Sequence, residues 1–300
     1  MRTSAVPTLD RFRQDLREYA RLAEARYDPS VMDPVLDTLS ELWTGSVVAV
    51  RTTTHPIPER QVNARVMHPG EPTELIQTLR DAGLLTYTGH PMEQLLAEIC
   101  AVMPVRAGVD VALAGGVEKI WLIFPELVSV ERMLAFPGMP ESARAHAAHL
   151  SRYGGRIGIL GVDFAARTMN LYSQVFEAGQ LTAADISTIL ADLDFVAATD
   201  EELALLGRTF NLYRTFSWTS PRMERICFPL RCTAATFPTH LDPVLARFVD
   251  EAPFADPETR GFVFYTAYGA TSRYYKIQAE YLAAQRPTFP GGTEPQVTRD

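Results

Sequence analysis

Five polar residues recur along the chain at nearly constant spacing. Arg65, Lys119, Asn170, Arg225 and Lys276 are separated by 54, 51, 55 and 51 residues. Four of the five are cations, and each is followed by an aliphatic residue: Val66, Ile120, Leu171, Ile226 and Ile277. A fixed period of this length marks a repeated structural unit, so matching side chains are delivered from successive copies to one place. Basic groups gathered at one point suit an anion, whose charge they would neutralise. The chain carries a net charge of −8, so such a cluster runs against its overall balance and is costly until an anion neutralises it.

The elements that would position these residues are legible around them. Strand-like pairs are expected at 46–54 with 60–68, 107–113 with 117–124, 156–163 with 167–174, 208–218 with 222–230, and 261–268 with 272–281. Amphipathic helices fill the intervals. The first carries Leu9, Phe12, Leu16, Tyr19 and Leu22 at helical spacing, and a second is expected from Asp33-Pro34 to about Trp43. Others are expected at 73–80, 91–102, 129–135, 141–150, 183–193, 200–206 and 243–250.

Alternation along the second strand of each pair assigns the faces, because residues two apart share a side. One face holds Val66, Ile120, Leu122, Phe124, Leu171, Ile226, Phe228 and Ile277, suited to packing under helices. The other holds Asn63, Arg65, Lys119, Trp121, Asn170, Tyr172, Arg225, Lys276, Gln278 and Glu280. A lysine or arginine on a polar strand face ordinarily meets solvent. Four at one register of a repeat argue instead for an internal site. Ten strands can form an open sheet with one wet face, or a closed barrel with room inside for small molecules.

Other constellations are weak. His146 and His149 lie three apart with no third ligand in view. The glycines at 154, 155, 158 and 161 lack phosphate-loop spacing, and the acidic residues at 192, 194 and 200–202 read as solvated helix faces. No G-x-S-x-G, H-E-x-x-H or aspartate-rich D-D-x-x-D run is present. The acidic balance argues against nucleic-acid and membrane partners. Three cysteines (Cys100, Cys227 and Cys232), no apolar leader and no long apolar window lead to the expectation of a cytoplasmic protein. One domain is expected over 1–287, with a disordered tail at 288–300.

The segments 88–97, 115–125 (with Val117-Glu118-Lys119-Ile120-Trp121), 162–172 (ending Asn170-Leu171-Tyr172), 218–228 and Tyr274-Tyr275-Lys276-Ile277 together resemble the ABBA, or PT-barrel, aromatic prenyltransferases of bacterial secondary metabolism. The resemblance runs from about Leu9 to Tyr281. It implies an α+β fold, a closed ten-stranded antiparallel barrel ringed by helices and built from five αββα repeats. It places Lys119, Asn170, Arg225 and Lys276 at diphosphate-binding positions, with Tyr172 and Tyr213 beside the diphosphate and prenyl chain. Arg51 and Arg65 match positions that are basic in metal-independent members. Asn63 stands where magnesium-dependent members carry an aspartate, so no metal cofactor is expected.

The activity so implied is transfer of a dimethylallyl group from dimethylallyl diphosphate to an aromatic acceptor, by a protein expected to be a monomer. Trp121, Asn211, Gln278 and Glu280 face the expected acceptor region, with Glu280 as candidate base. A dihydrophenazine or hydroxynaphthalene acceptor is preferred, because hydroxyphenylpyruvate-using members carry an arginine where this chain has Gly158. A non-catalytic barrel that binds an anionic aromatic metabolite remains the alternative, followed by an open-sheet scaffold.

Overall fold

The structure, a computed structural model, describes residues 7–173, 177 and 179–282. The 288–300 tail lies outside the described residues. Ten strands follow in chain order: β1 (Val48–Thr53), β2 (Val62–His68), β3 (Arg106–Ala112), β4 (Gly116–Ser129) and β5 (Arg156–Asp163), then β6 (Thr168–Ser173), β7 (Tyr213–Ser217), β8 (Arg225–Cys232), β9 (Phe262–Tyr268) and β10 (Arg273–Leu282). Each pairs antiparallel with its chain neighbours, and β10 pairs with β1 to close the barrel. Closure leaves no sheet edge to protect and creates an inside.

Helices precede every hairpin: α1 (Leu9–Ala23), α2 (Pro29–Thr38) and α3 (Ser40–Gly45) before the first, α4 (Pro72–Asp81) and α5 (Pro91–Val102) before the second. Next come α6 (Val130–Leu134), α7 (Glu141–Ala145) and α8 (Ala147–Arg152), then α9 (Ala183–Asp192) and α10 (Asp200–Leu206), and last α11 (Pro243–Glu251). Local chemistry sets their starts. Thr8 accepts the N–H of Arg11 at α1, and Thr182 and Thr199 form reciprocal caps with Asp185 and Glu202.

The main apolar core lies between the outside of the barrel and these helices. Val66, Ile120, Leu122, Phe124, Leu171, Ile226, Phe228 and Ile277 are all fully buried there, the face that alternation assigns to packing. α1 covers the closing strand: Phe12 packs on Trp43 and Tyr281, and Tyr281 donates to Asp15 at 2.7 Å. Burying each such side chain contributes about 1.5–3 kcal/mol.

Element boundaries differ from the sequence expectation in several places, β4 running on to Ser129 among them, and three of the differences have a clear local reason. The second helix starts at Pro29, not Asp33, because Asp28 caps it by accepting the Ser30 N–H; Pro34 then lies inside α2. The 141–150 stretch forms two short helices that meet at His146, whose Nδ1 is 2.7 Å from the Ser142 carbonyl. Strand pairing in the fourth hairpin begins at Tyr213, not 208. The N–H groups of Arg208 and Thr209 bond back to Leu205 and Leu206, and the Thr209 hydroxyl bonds to the carbonyls of Asn211 and Pro229.

Candidate active site

Register across the barrel lines up the inner residues in rows. Arg65 on β2 is opposite Asp110 on β3, which is opposite Lys119 on β4, which is opposite Asp163 on β5. Directly opposed side chains on one face interact, so this row of alternating charge is self-compensating. Arg65 reaches Asp110 at 2.9 Å, Arg51 reaches the same carboxylate at 3.4 Å, and Lys119 reaches Asp163 at 3.1 Å. A β-bulge between Asp110 and Val111 inserts Glu118 as an extra residue and turns its side chain inward, where it accepts from Asn63 at 2.8 Å.

A second row holds Asn170, Thr215 and Arg225 on β6, β7 and β8. Here the partners are neutral. Thr215 donates to Asn170 at 2.7 Å, while Arg225 donates to the Thr215 hydroxyl at 3.1 Å and to Tyr274 Oη at 2.9 Å. Lys276, only 4% exposed, donates to Tyr213 Oη at 2.6 Å and lies about 5 Å from the ring centres of Tyr213 and Tyr274. Among the described residues, neither Arg225 nor Lys276 is ion-paired with a carboxylate.

The electrostatics register this imbalance. Burial pushes the Lys276 ammonium well below the ordinary lysine range, and repulsion from Arg225, Arg51 and Lys119 adds to the effect. Burial also lowers Lys119, though Asp163 and Asp110 oppose the shift. For Asp110 burial alone would raise the carboxyl, but Arg65 and Arg51 together hold it below the usual range. Glu118 is raised by burial, with the Asn63 hydrogen bond pulling against it. A depressed lysine marks a place where added negative charge is favourable.

Aromatic rings continue the wall. Tyr172 and Tyr213 stack at 4.7 Å, Tyr265 meets Tyr213 edge-on at 6.2 Å, and Trp121 meets Tyr172 at 6.4 Å. Trp121 also lies under the Arg65 guanidinium at 4.1 Å. The indole fits because β5 has Gly161 opposite it: a Cβ there would come within 2.7 Å of the ring. Gly161→Ala should therefore displace Trp121 and lower kcat/KM about tenfold or more, a loss readable with a shift in tryptophan emission.

The other expected pocket residues separate by position. Gln278 accepts from Arg65 at 2.6 Å and from Tyr265 at 3.1 Å, so it braces the arginine. Asn211 is buried, and its side-chain oxygen has no hydrogen-bond partner. Glu280 lies two residues beyond Gln278 on the same face of β10, half-buried and 4.0 Å from Arg231, with Gly261 leaving room beside it. Its Cα is roughly 13 Å along the strand from that of Lys276. Glu280 thus lies farther along β10 than Lys276, beside Arg231.

Sequence reasoning assigned no role to Asp110, Asp163, Glu118, Thr215, Tyr265 or Tyr274. For Asp110 a signal exists: it is the only charge in the otherwise apolar run from Ala107 to Ala112. Glu118 carries no such signal, because strict alternation would turn it outward and only the bulge reverses it.

Comparisons with known proteins agree with this architecture. A family model described as aromatic prenyltransferase Orf2 matches residues 8–291. Flaviolin linalyltransferase of Streptomyces virginiae is 28% identical over 259 residues, covering 83% of this chain and 84% of the relative. The 5,10-dihydrophenazine-1-carboxylate 9-dimethylallyltransferase of Streptomyces anulatus is 26% identical, covering 88% of this chain and 90% of its own. Among solved structures, the prenyltransferase PriB superposes with a TM-score of 0.60 at 11% identity, covering 92% of this chain and 96% of its own. The 5-dimethylallyl tryptophan synthase of Streptomyces coelicolor gives 0.59 at 14% identity, covering 98% and 100%. A closed barrel of five hairpins with an internal basic cluster, matched nearly end to end by that family model, makes this chain a member of the Orf2 aromatic prenyltransferase family, with the ABBA fold.

Proposed function

We propose that this enzyme transfers a dimethylallyl group from dimethylallyl diphosphate to a fused-ring aromatic acceptor, a dihydrophenazine or a hydroxynaphthalene, without a metal cofactor. The observation that carries the reading is the pair of buried cations, Arg225 and Lys276, held by hydroxyls alone beside a wall of stacked tyrosines. A relative whose name specifies dimethylallyl transfer to a dihydrophenazine supports the acceptor class.

The reaction is an electrophilic aromatic substitution. The allylic C–O bond breaks, the diphosphate takes the electron pair, and positive charge develops on the prenyl carbon. Arg225 and Lys276, with Lys119, Arg51 and Arg65 behind them and hydrogen bonds from Asn170 and Tyr213, stabilise the leaving group. One charge pair at contact contributes about 4 kcal/mol at an effective dielectric of 20. Tyr172, Tyr213 and Trp121 present π-faces to the allyl cation, each contributing about 1–2 kcal/mol when dry, and exclude the water that would trap it. The ring attacks, Asn211 orients it, and Glu280, farther along β10, takes the displaced proton.

The carboxylates beside Asn63 are already engaged, Glu118 by the Asn63 amide at 2.8 Å and Asp110 by arginines, which supports a site that works without a metal. The amide brings no charge. Incubation with dimethylallyl diphosphate, an acceptor panel and EDTA tests the proposal: diphosphate release with a prenylated product is expected. Turnover only with added magnesium would overturn the metal-independent reading, and tight binding without turnover would favour a carrier.

Protonation supplies a further check. Lysines depressed by burial regain affinity for protons when an anion binds beside them, so binding takes up protons. Calorimetry with inorganic diphosphate at about pH 8, in buffers of different ionisation enthalpy, should show net uptake. Affinity should fall as pH rises through the lowered lysine range.

A further inference from the structure

The inner cations divide by their counter-charges. Arg51 and Arg65 share Asp110, Lys119 has Asp163, and Arg225 and Lys276 have hydroxyls. The two carboxylates are not equivalent. Asp110 is wedged between guanidiniums, one of them braced by Gln278 and Trp121, and its side chain is 1% exposed. Asp163 holds one flexible ammonium, is 15% exposed, and sits at the end of β5, where it also accepts the Ala166 N–H at 2.8 Å. It is near enough to Arg225 to act on that guanidinium as well.

We propose that Asp163 is a positioning residue that competes with the diphosphate for the Lys119 ammonium and so sets how readily inorganic diphosphate leaves after transfer. The inference rests on the diphosphate reading of the chamber given above. A chamber whose cations were all free would hold the released diphosphate at least as tightly as the donor, because the product carries more charge. Tight product binding slows turnover without helping the chemical step. A carboxylate 3.1 Å from Lys119 counters this, since the ammonium moves to phosphate during reaction and back to Asp163 afterwards.

The test is the inhibition constant of inorganic diphosphate against the prenyl donor, measured on the acid side of the lowered Lys119 range, where the ammonium is charged. Asp163→Asn keeps an acceptor for Ala166 and removes the charge. It should tighten inhibition about tenfold, and Asp163→Glu should restore a value near wild type. In a Lys119→Met background the same substitution should tighten inhibition by no more than about threefold, because only the weaker action of Asp163 on Arg225 and on the phosphate remains. If Asp163→Asn does not fold, Asp163→Ser, which can also accept from the turn, takes its place. Unchanged or weakened inhibition in a folded Asp163→Asn variant overturns the inference alone. Failure of inorganic diphosphate to inhibit the wild type at all overturns the reading of the chamber beneath it.

Discussion

Lys276→Met should lower kcat/KM for the prenyl donor by about 10²- to 10³-fold and at the same time raise the melting temperature. The catalytic loss is that of removing one preorganised donor aimed at developing negative charge. The gain in stability follows from the buried ammonium. Its folded-state pKa lies well below the unfolded value, so in the window between them the unfolded chain binds more protons, and wild-type stability rises with pH. Below the lowered pKa the full cost of burying the charge is present. Methionine removes that cost, so its advantage should be largest below the lowered value and shrink as pH rises towards the ordinary lysine range, about 10. Paired steady-state kinetics and thermal melts would show both effects. A variant with full activity would mean that this ammonium does not touch the leaving group. Activity lost together with stability would mean a structural role, contrary to the exchange of stability for function expected at an active site.

Asp110→Asn should destabilise the fold by about 3–5 kcal/mol, the usual consequence of stripping one partner from a buried ion pair. The substitution keeps the volume and removes the charge that two arginines and a facing lysine share. The urea midpoint should fall with the slope unchanged. Asp110 is held below the usual carboxyl range, so its contribution is present at neutral pH and lost as pH falls through the lowered value. Wild type and variant should therefore converge in acid. Added inorganic diphosphate should stabilise the variant more than the wild type, because it supplies the missing negative charge. Equal stability at neutral pH would mean that the guanidiniums are solvated well enough to need no partner.

The fold was legible because one device is repeated. Period, alternation and the aliphatic residue after each inner polar group all point to hairpins with a helix-facing side, and Val66, Ile120, Leu171, Ile226 and Ile277 lie there. The cations were legible for the same reason, since each copy presents one at the same register. What alternation does not carry is the pairing across strands. Asp110 and Asp163 neutralise the row only through the register that sets Arg65, Asp110, Lys119 and Asp163 side by side, and no single strand contains that information. Glu118 needed a bulge.

Arg214 marks a further limit. It follows Tyr213, so its side chain lies outside the barrel under α8, fully buried and bonded to the Ser173 hydroxyl and the Tyr153 carbonyl. Burial lowers it to about 9. A cation in the repeat is thus not always a cation in the chamber; parity along the strand decides which.

The proposed reaction requires basic side chains from separate hairpins to hold a diphosphate at one internal point. A crystal structure with a non-ionising thiolo-diphosphate analogue tests it most directly. The diphosphate is expected between Arg225, Lys276 and Lys119, with the allyl carbon against Tyr172 and Tyr213 and Lys119 drawn from Asp163. An analogue bound outside the barrel, or inside it beside Glu280, would contradict that expectation.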